Sequence, residues 1–159
     1  MDTKQNEILT FIVEKQRFAF NLEAVDRVIR AVAITKLTNC PKFIEGVIDY
    51  YGEIIVVINL RKRLGYPLEE LKLSDRFIIS KTATRKIALI VDEIEELIQP
   101  DSEDLFNSQD LDAGMKFIKV FRDDDGIVLI YDLESLMSIE EEIELEKFLV
   151  TNFPKVEKI

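Results

Sequence analysis

The chain alternates short apolar runs with polar turns, and one such pattern occurs twice. Residues 54–64 and 127–137 each contain an apolar strand, a capping residue, a leucine and a short helical turn. The capping residues are Asn59 and Asp132, because their side chains can accept hydrogen bonds from the free N–H groups of a first helical turn. An internal repeat of this kind predicts two similar small units.

Further apolar runs extend the repeat over most of the chain. In each half we expect a hairpin, a third strand and a second hairpin, because each run is bounded by a polar or Gly-containing turn. The runs lie at residues 11–13, 18–20, 25–30, 47–51 and 54–58 in the first half, and at 77–79, 87–91, 94–98, 117–121 and 127–131 in the second. Short strands at regular spacing favour barrels or sandwiches over a parallel α/β sheet.

Two connections and the tail depart from the strand pattern. Residues 31–45 and 99–115 contain turn-forming residues and are expected to be irregular. Ser138 followed by Glu141 has the spacing of a capping box. The apolar positions that follow have helical spacing, so we expect an amphipathic α-helix over residues 139–152.

Composition indicates a folded protein in a reducing compartment. With 159 residues and 47% hydrophobic content, the chain can form one compact domain, or two very small barrels that share a core. No apolar stretch approaches the roughly 20 residues of a membrane span, and the first residues do not have the pattern of a signal peptide. Cys40 is the single cysteine, which excludes an intrachain disulfide and favours the cytoplasm.

Charge argues against nucleic acid as a partner. The net charge is −10, whereas affinity for nucleic acid depends on Lys and Arg that neutralise phosphates. The local exception is the basic cluster of residues 61–63 on the first capped turn. We interpret this cluster as a solvated face, with a docking patch as the alternative.

The chain offers little for catalysis or metal binding. It has no histidine, which removes the commonest general base and the commonest metal ligand, and one cysteine cannot form a thiolate metal site. No glycine-rich phosphate-binding motif is present. The consecutive acids of residues 123–126 are typical of a hairpin turn rather than a calcium loop. We therefore expect no enzyme and no cofactor.

One acidic cluster keeps an enzymatic alternative open. Paired carboxylates can perform acid–base chemistry, and Asp92, Glu93, Glu95 and Glu96 offer such pairs. On a strand, however, alternate side chains face solvent, so we interpret these residues as a solvated edge. A carboxylate-dependent hydrolase that uses residues 92–96 is the alternative.

Residues 39–48 and 52–61 carry a resemblance to a known family. The first segment reads Asn-Cys-Pro-Lys-Phe-Ile-Glu-Gly-Val-Ile, and the second reads Gly-Glu-Ile-Ile-Val-Val-Ile-Asn-Leu-Arg. In this order and spacing they resemble the chemotaxis coupling protein (CheW-like) family. Residues 18–28, 88–94 and 127–137 resemble further motifs of that family. The resemblance covers residues 7–138.

The resemblance implies a fold that agrees with the repeat. It implies a mainly β protein made of two intertwined five-stranded SH3-like β-barrels, with short helices and a C-terminal α-helix. The CheW-like domain would cover residues 7–138, with a first barrel at roughly 8–66 and a second at roughly 75–137. These boundaries can interleave, and the C-terminal helix would follow at 139–152.

The resemblance also implies partners and a binding surface. Members of the family are non-catalytic adaptors that couple the cytoplasmic tip of chemoreceptors to the regulatory domain of the histidine kinase CheA. The receptor tip binds an apolar groove between the barrels, and the kinase docks barrel end to barrel end. Positions that match family motifs give the candidate partner-binding residues: Val25, Arg27, Val28, Gly46, Ile48, Tyr51, Gly52, Val91 and Asp92.

Two of these candidates depart from the family pattern. Arg27 stands where the family often has glutamate, and Tyr51 stands where it has arginine. Because complementary and repulsive charges set specificity, we hypothesise a retuned receptor or kinase partner. The alternative is a divergent adaptor in another receptor-type pathway, or a competitor that modulates arrays.

Overall fold

The computed structural model describes residues 7–107 and 117–153. Within these ranges the chain forms eleven strands and two α-helices. In chain order they are β1 (Ile8–Val13), β2 (Gln16–Asn21), β3 (Val25–Arg30), β4 (Ile44–Tyr50), β5 (Glu53–Asn59), α1 (Leu60–Leu64), β6 (Arg76–Lys81), β7 (Lys86–Val91), β8 (Glu93–Ile98), β9 (Leu105–Asn107), β10 (Phe117–Asp123), β11 (Gly126–Tyr131) and α2 (Ile139–Asn152).

The two halves of the chain exchange strands between two sheets. Sheet 1 has the order β8-β1-β2-β11-β10-β9, and sheet 2 has the order β3-β6-β7-β5-β4. Each sheet takes one hairpin from one half of the chain and its third strand and second hairpin from the other half. Parallel pairing of β11 with β2, and of β5 with β7, joins the two contributions. The units expected at residues 8–66 and 75–137 are therefore interleaved in space.

This architecture confirms the expected mainly β fold of two intertwined units, with one difference. Residues 105–107 form β9, which pairs with β10 and gives sheet 1 a sixth strand. The expectation of an irregular segment at 99–115 is wrong there, and residues 108–116 lie outside the described ranges. In the other irregular segment, Thr35 forms an isolated bridge with Val47 of β4.

The continuous apolar runs arise because the central strands are buried on both faces. In β5, Val56 and Ile58 pack into a central cluster that both sheets share, whereas Ile55 and Val57 pack inside sheet 2. Burying one such aliphatic side chain contributes about 1.5–3 kcal/mol. A strand that is buried on both faces has an apolar run instead of the apolar–polar alternation of a half-exposed strand.

The predicted capping residues of the repeat are confirmed. Asn59 Oδ1 accepts a hydrogen bond from the N–H of Arg61 at 3.0 Å, and Gly65, whose φ is 78°, is the C-cap of α1. In the second copy Asp132 Oδ1 accepts from the N–H of Glu134 at 3.0 Å, but the turn that follows is a short 3-10 helix. Both copies of the repeat therefore have the capping residue, but the turn that follows is an α-helix in the first copy and a 3-10 helix in the second.

The helix α2 is anchored by a capping box and by an arginine from α1. Ser138 Oγ accepts from the N–H of Glu141 at 3.1 Å, and Glu141 Oε1 accepts from the N–H of Ser138 at 2.9 Å. Arg63 makes a bidentate ion pair with Glu141 and also donates to the carbonyl of Leu136. The prediction that residues 61–63 form a solvated face is therefore wrong for Arg63, because distant acceptors shield its guanidinium.

Candidate partner-binding surface

Arg27 and Tyr50 bring the two edge strands of sheet 2 together. Arg27 Nη1, on β3, donates a hydrogen bond to the hydroxyl of Tyr50, on β4, at 3.2 Å. The guanidinium carbon lies 5.7 Å from the centroid of the Tyr50 ring, within the range of a cation–π contact. The hydrogen bond to Tyr50 raises the pKa of Arg27. The orientation of Arg27 is therefore set by a residue that the sequence analysis did not select.

The turn between β4 and β5 presents Tyr51 to solvent. Tyr51 and Gly52 have φ values of 52° and 87°, which is the sign that a two-residue type I′ hairpin requires at both central positions. The N–H of Gly52 donates to Asp49 Oδ1 at 2.8 Å. Tyr51 is 91% exposed, and its ring meets that of Tyr50 edge-on, with the centroids 4.7 Å apart. A large aromatic side chain thus projects beside Arg27.

Aliphatic residues also lie on the edge strand β3, and they recur on β8. Val28 is exposed, and Val25 is half-buried against the central cluster. The strand β8 takes the equivalent edge position in sheet 1, where Ile94 also packs against the central cluster and Leu97 is exposed. The sequence analysis did not select Ile94 and Leu97. The signal that could have found them was the repeat, which pairs residues 25–30 with 94–98.

Arg27 stands at one end of a chain of ion pairs, since its Nε lies 3.5 Å from a carboxylate oxygen of Asp26. Asp26 lies 3.8 Å from the amino groups of both Lys81 and Lys86, and Lys86 lies 3.3 Å from a carboxylate oxygen of Glu53. These pairs connect β3, the β6–β7 hairpin and β5. Pairs that remain partly exposed add little to stability, so their main effect is to fix the charges that an approaching partner meets.

Three of the candidate residues are not exposed for direct contact. Ile48 and Val91 are buried, Ile48 inside sheet 2 and Val91 in the central cluster. Gly46 lies against the 31–43 connection, where a Cβ atom would come within 2.7 Å of the Cγ2 atom of Ile34. The structure therefore buries these three residues, whereas Arg27 and Tyr51 are exposed.

Asp92 belongs to a shielded ion network rather than to a solvated edge. Its Oδ2 accepts from the N–H of Glu14 at 2.9 Å and from Arg61 Nη2 at 2.7 Å. Arg61, whose side chain is 10% exposed, also donates to Glu14 and to the carbonyl of Pro67, and lies 3.5 Å from Glu69. The solvated interpretation of residues 61–63 is thus wrong for Arg61 as well.

Glu95 is held by a second shielded arginine. Arg17 donates to Glu95 at 2.9 Å and makes two hydrogen bonds to Asp123, at 2.8 and 3.0 Å. The hydrogen bond from Arg17 lowers the pKa of Asp123. Asp123 begins the expected β10–β11 hairpin turn, which is confirmed. Both carboxylates of a supposed acid–base pair, Asp92 and Glu95, are therefore engaged in ion pairs with arginine.

Two observations on residues 7–107 and 117–153 concern clusters of metal-ligating side chains and membrane-spanning helices. No group of three or more Cys, Asp or Glu side chains in these ranges is arranged to hold a metal ion. None of the helices in this part of the chain is both long enough and apolar enough to cross a membrane.

Comparison with known proteins places the chain in a family. The family model described as the CheW-like domain matches residues 7–141. The chemotaxis protein CheW of Thermotoga maritima is 29% identical over 136 residues, which cover 84% of this chain and 89% of the relative. CheW of Treponema pallidum is 23% identical over 148 residues, which cover 89% and 87%.

A solved structure gives the same result. The scaffolding protein TtCheW from Thermoanaerobacter tengcongensis superposes with a TM-score of 0.76 at 28% identity, and the match covers 86% of this chain and 95% of the other. The exchanged sheets, the repeated strand order and these matches lead to one conclusion: the chain belongs to the CheW-like domain family.

Proposed function

We propose that the chain is a cytoplasmic, non-catalytic adaptor that couples the cytoplasmic tips of chemoreceptors to the regulatory domain of the histidine kinase CheA. Membership of the CheW-like family supports this role. The observation that carries it is the pair of exposed side chains, Arg27 and Tyr51, on either side of Tyr50 at the edge of sheet 2. Arginine and tyrosine are enriched among the residues that dominate binding energy at protein interfaces.

The surface is organised before a partner arrives. The Tyr50 ring and hydroxyl hold the Arg27 guanidinium, and the tight hairpin turn fixes the backbone of Tyr51. Ordering a long side chain on binding costs about 0.5–1.5 kcal/mol, and contacts already made in the free protein reduce that cost. Tyr50 therefore acts as a positioning residue for Arg27.

Apolar contact with a receptor helix would come from the edge strands. Val25 and Val28 lie on β3, and Ile94 and Leu97 lie on the equivalent strand β8. Val25 and Ile94 pack against the same central cluster, which fits a groove between the two barrels. Gly46, Ile48 and Val91 would act on binding indirectly, by shaping the core beneath this surface.

Gly52 and Asp92 would also affect binding indirectly, by fixing the turns in which they lie or which they contact. Gly52 completes the turn that presents Tyr51. Asp92 receives hydrogen bonds from Arg61 and from the N–H of Glu14, which fixes the β1–β2 turn beside the start of β8. Substitutions at these two residues would then reduce partner binding in proportion to the loss of local order.

The charge at position 27 indicates which charge the partner presents opposite it. The family often has glutamate at this position, and this chain has an arginine whose side chain is 55% exposed. A partner that presents a basic residue there would be repelled, and one that presents an acidic residue would be attracted. We expect the partners of this chain to carry an acidic side chain opposite Arg27.

Calorimetric titration tests the proposal. The purified chain is titrated with two proteins from its own genome, the kinase regulatory domain and a receptor-tip fragment. Binding to both supports the adaptor role, and binding to neither rejects it for these partners. The double variant Arg27→Glu, Tyr51→Arg should bind the receptor tip of a typical family member better than the wild type does. Lys119→Glu is the control, because Lys119 is exposed on β10, which three strands of sheet 1 separate from β8.

The departures at Arg27 and Tyr51 also favour a second candidate. The chain would be a divergent adaptor of another receptor-type pathway, or a competitor that occupies the kinase without a receptor. In the same titration this candidate predicts binding to the kinase domain alone. A receptor-tip affinity equal to that of a typical family member would exclude it.

A further inference from the structure

We propose that a cleft between α2 and the β4–β5 hairpin binds a large apolar side chain of the receptor tip, an inference that rests on the proposed function. The cleft has a volume of about 580 Å³, and we name it the α2 cleft. The residues that define it are Tyr51, Ile54, Val56, Arg85, Glu146 and Leu149. They come from three elements: the β4–β5 hairpin, the β6–β7 turn and α2. The α2 cleft therefore differs from the groove expected between the barrels along β3 and β8.

The buried part of the α2 cleft is apolar and belongs to the core. Val56 and Leu149 are buried members of the central cluster, and Ile54 packs against the same cluster. The volume is within the range of about 300–1,000 Å³ that is typical of ligand-binding clefts. An apolar group that displaces water from such a lining gains free energy. The α2 cleft is therefore suited to a side chain such as phenylalanine, leucine or methionine.

The charged residues that line the α2 cleft are already paired. Arg85 Nη2 lies 2.7 Å from a carboxylate oxygen of Glu146, and Lys86 Nζ lies 3.3 Å from one of Glu53. A charged group in the cleft would compete with one of these pairs or lose its hydration without a new partner, which is costly. An uncharged group leaves both pairs intact. The side chain that binds here should therefore be apolar.

The α2 cleft is continuous with the candidate partner-binding surface. Tyr51 is exposed and is part of both. Lys86 lines the cleft and lies 3.8 Å from Asp26, which in turn lies 3.5 Å from Arg27. A receptor helix that contacts Arg27 and Tyr51 would therefore lie beside the opening of the cleft. This continuity is the reason for choosing the receptor tip as the occupant.

A pocket beside polar contacts is the usual setting of a dominant interface residue. Such residues fill pockets, and the polar contacts around them exclude water. Here the α2 cleft supplies the pocket, and the ion pairs of Arg85 and Lys86 lie at its edge. Burial of one large apolar side chain corresponds to a gain in affinity of about tenfold to a hundredfold. Blocking the cleft should therefore weaken receptor binding at least about tenfold.

A cleft-filling variant tests the proposal. Thr84 is exposed and lines the α2 cleft, so the indole ring of Thr84→Trp would occupy the space that the receptor side chain needs. Ala83→Trp is the matched control, because Ala83 is the exposed neighbour on the same turn. Thr84→Val controls for loss of the hydrogen bond from Thr84 Oγ1 to Glu142. In calorimetric titration with the receptor-tip fragment, we expect Thr84→Trp to weaken binding about tenfold and both controls to bind as the wild type does.

A neutral aromatic probe tests the α2 cleft without any partner protein. Indole is titrated into the isotope-labelled full chain, and backbone amide chemical shifts are recorded. We expect saturable shifts at Gly52, Thr84 and Leu149, and we expect Thr84→Trp to abolish them. Indole-3-acetate has the same ring with a negative charge, and it should bind more weakly because Arg85 and Lys86 are already paired.

The results separate failure of this proposal from failure of the proposed function. Equal receptor-tip affinity of the wild type and Thr84→Trp would overturn the proposal and leave the adaptor role standing. Weaker binding of Thr84→Trp to the kinase domain alone would make the kinase the occupant instead. A wild type that binds no receptor tip would reject the receptor as occupant together with the adaptor role. Indole shifts that do not saturate, or that persist in Thr84→Trp, would exclude the α2 cleft as an apolar site.

Discussion

Replacing Arg61 with methionine should destabilise the protein strongly, although Arg61 is one of three consecutive basic residues on a surface helix. Its side chain is 10% exposed and donates hydrogen bonds to Glu14, to Asp92 and to the carbonyl of Pro67. Methionine keeps the apolar length of the side chain and removes the donors. The change therefore leaves two carboxylates and a carbonyl without this partner.

The magnitude follows from these contacts. A hydrogen bond to a charged group contributes about 1.5–3 kcal/mol, and breaking a fully buried pair costs about 3–5 kcal/mol. Here the carboxylates of Glu14 and Asp92 are roughly one-third exposed, at 35 and 31%, and can recover part of their hydration. We therefore expect the free energy of unfolding to fall by about 3 kcal/mol, near the lower end of the range for buried pairs. For a domain of this size, the melting temperature should fall by about 6–12 °C.

Urea denaturation at pH 7, followed by far-UV circular dichroism, measures the effect. The control is Lys62→Met, because Lys62 lies on the same helix and is exposed. A surface substitution of this kind should change the free energy of unfolding by less than about 0.5 kcal/mol. A loss below about 1 kcal/mol for Arg61→Met, or an equal loss for both variants, would refute the reasoning that burial distinguishes the two residues.

Three further predictions test local features. Gly46→Ala should lower the free energy of unfolding by about 2 kcal/mol, because the added Cβ would contact the 31–43 connection. Gly52→Ala should lower it by about 1 kcal/mol, because there is space for the Cβ and the cost comes from the positive φ alone. Equal melting temperatures for the two variants would contradict this. Arg17 lowers the pKa of Asp123, so the ionised carboxylate stabilises the folded state. The difference in free energy of unfolding between the wild type and Asp123→Asn should be largest above about pH 4 and should disappear as the pH falls through the lowered pKa. A difference in urea titrations that does not change with pH would contradict this. Glu141→Gln should speed hydrogen exchange in α2 more than in the sheets, because it weakens the pair that anchors α2; uniform acceleration would argue against that anchor.

Much of the fold could be predicted from the sequence because local signals agree with it. Apolar runs bounded by turn residues predicted ten of the strands, and β3 spans the predicted range, Val25–Arg30. The capping residues Asn59 and Asp132 were recognisable because a cap acts on amides two or three residues away. The strand β9 was missed, because a strand of three residues has too short a pattern to detect.

The candidate surface was predicted only in part. Tyr51 was selected by motif position and is exposed, whereas Ile48 and Val91 were selected in the same way and are buried. Motif matching cannot distinguish exposed from buried residues here, because a strand buried on both faces lacks the apolar–polar alternation that would mark its exposed side. Tyr50 was missed because its role depends on Arg27, which lies 23 residues earlier in the chain.

Local sequence is enough to recognise the strands, the caps, the repeat and the family, because each of these depends on neighbouring residues or on motif order. Which strands pair and which charges are shielded depends on the folded chain. Arg61 and Lys62 are adjacent and both basic, yet only Arg61 meets Glu14, 47 residues away, and Asp92, 31 residues away. Burial and charge pairing depend on contacts between distant segments, and those contacts exist only after the two halves of the chain have exchanged strands.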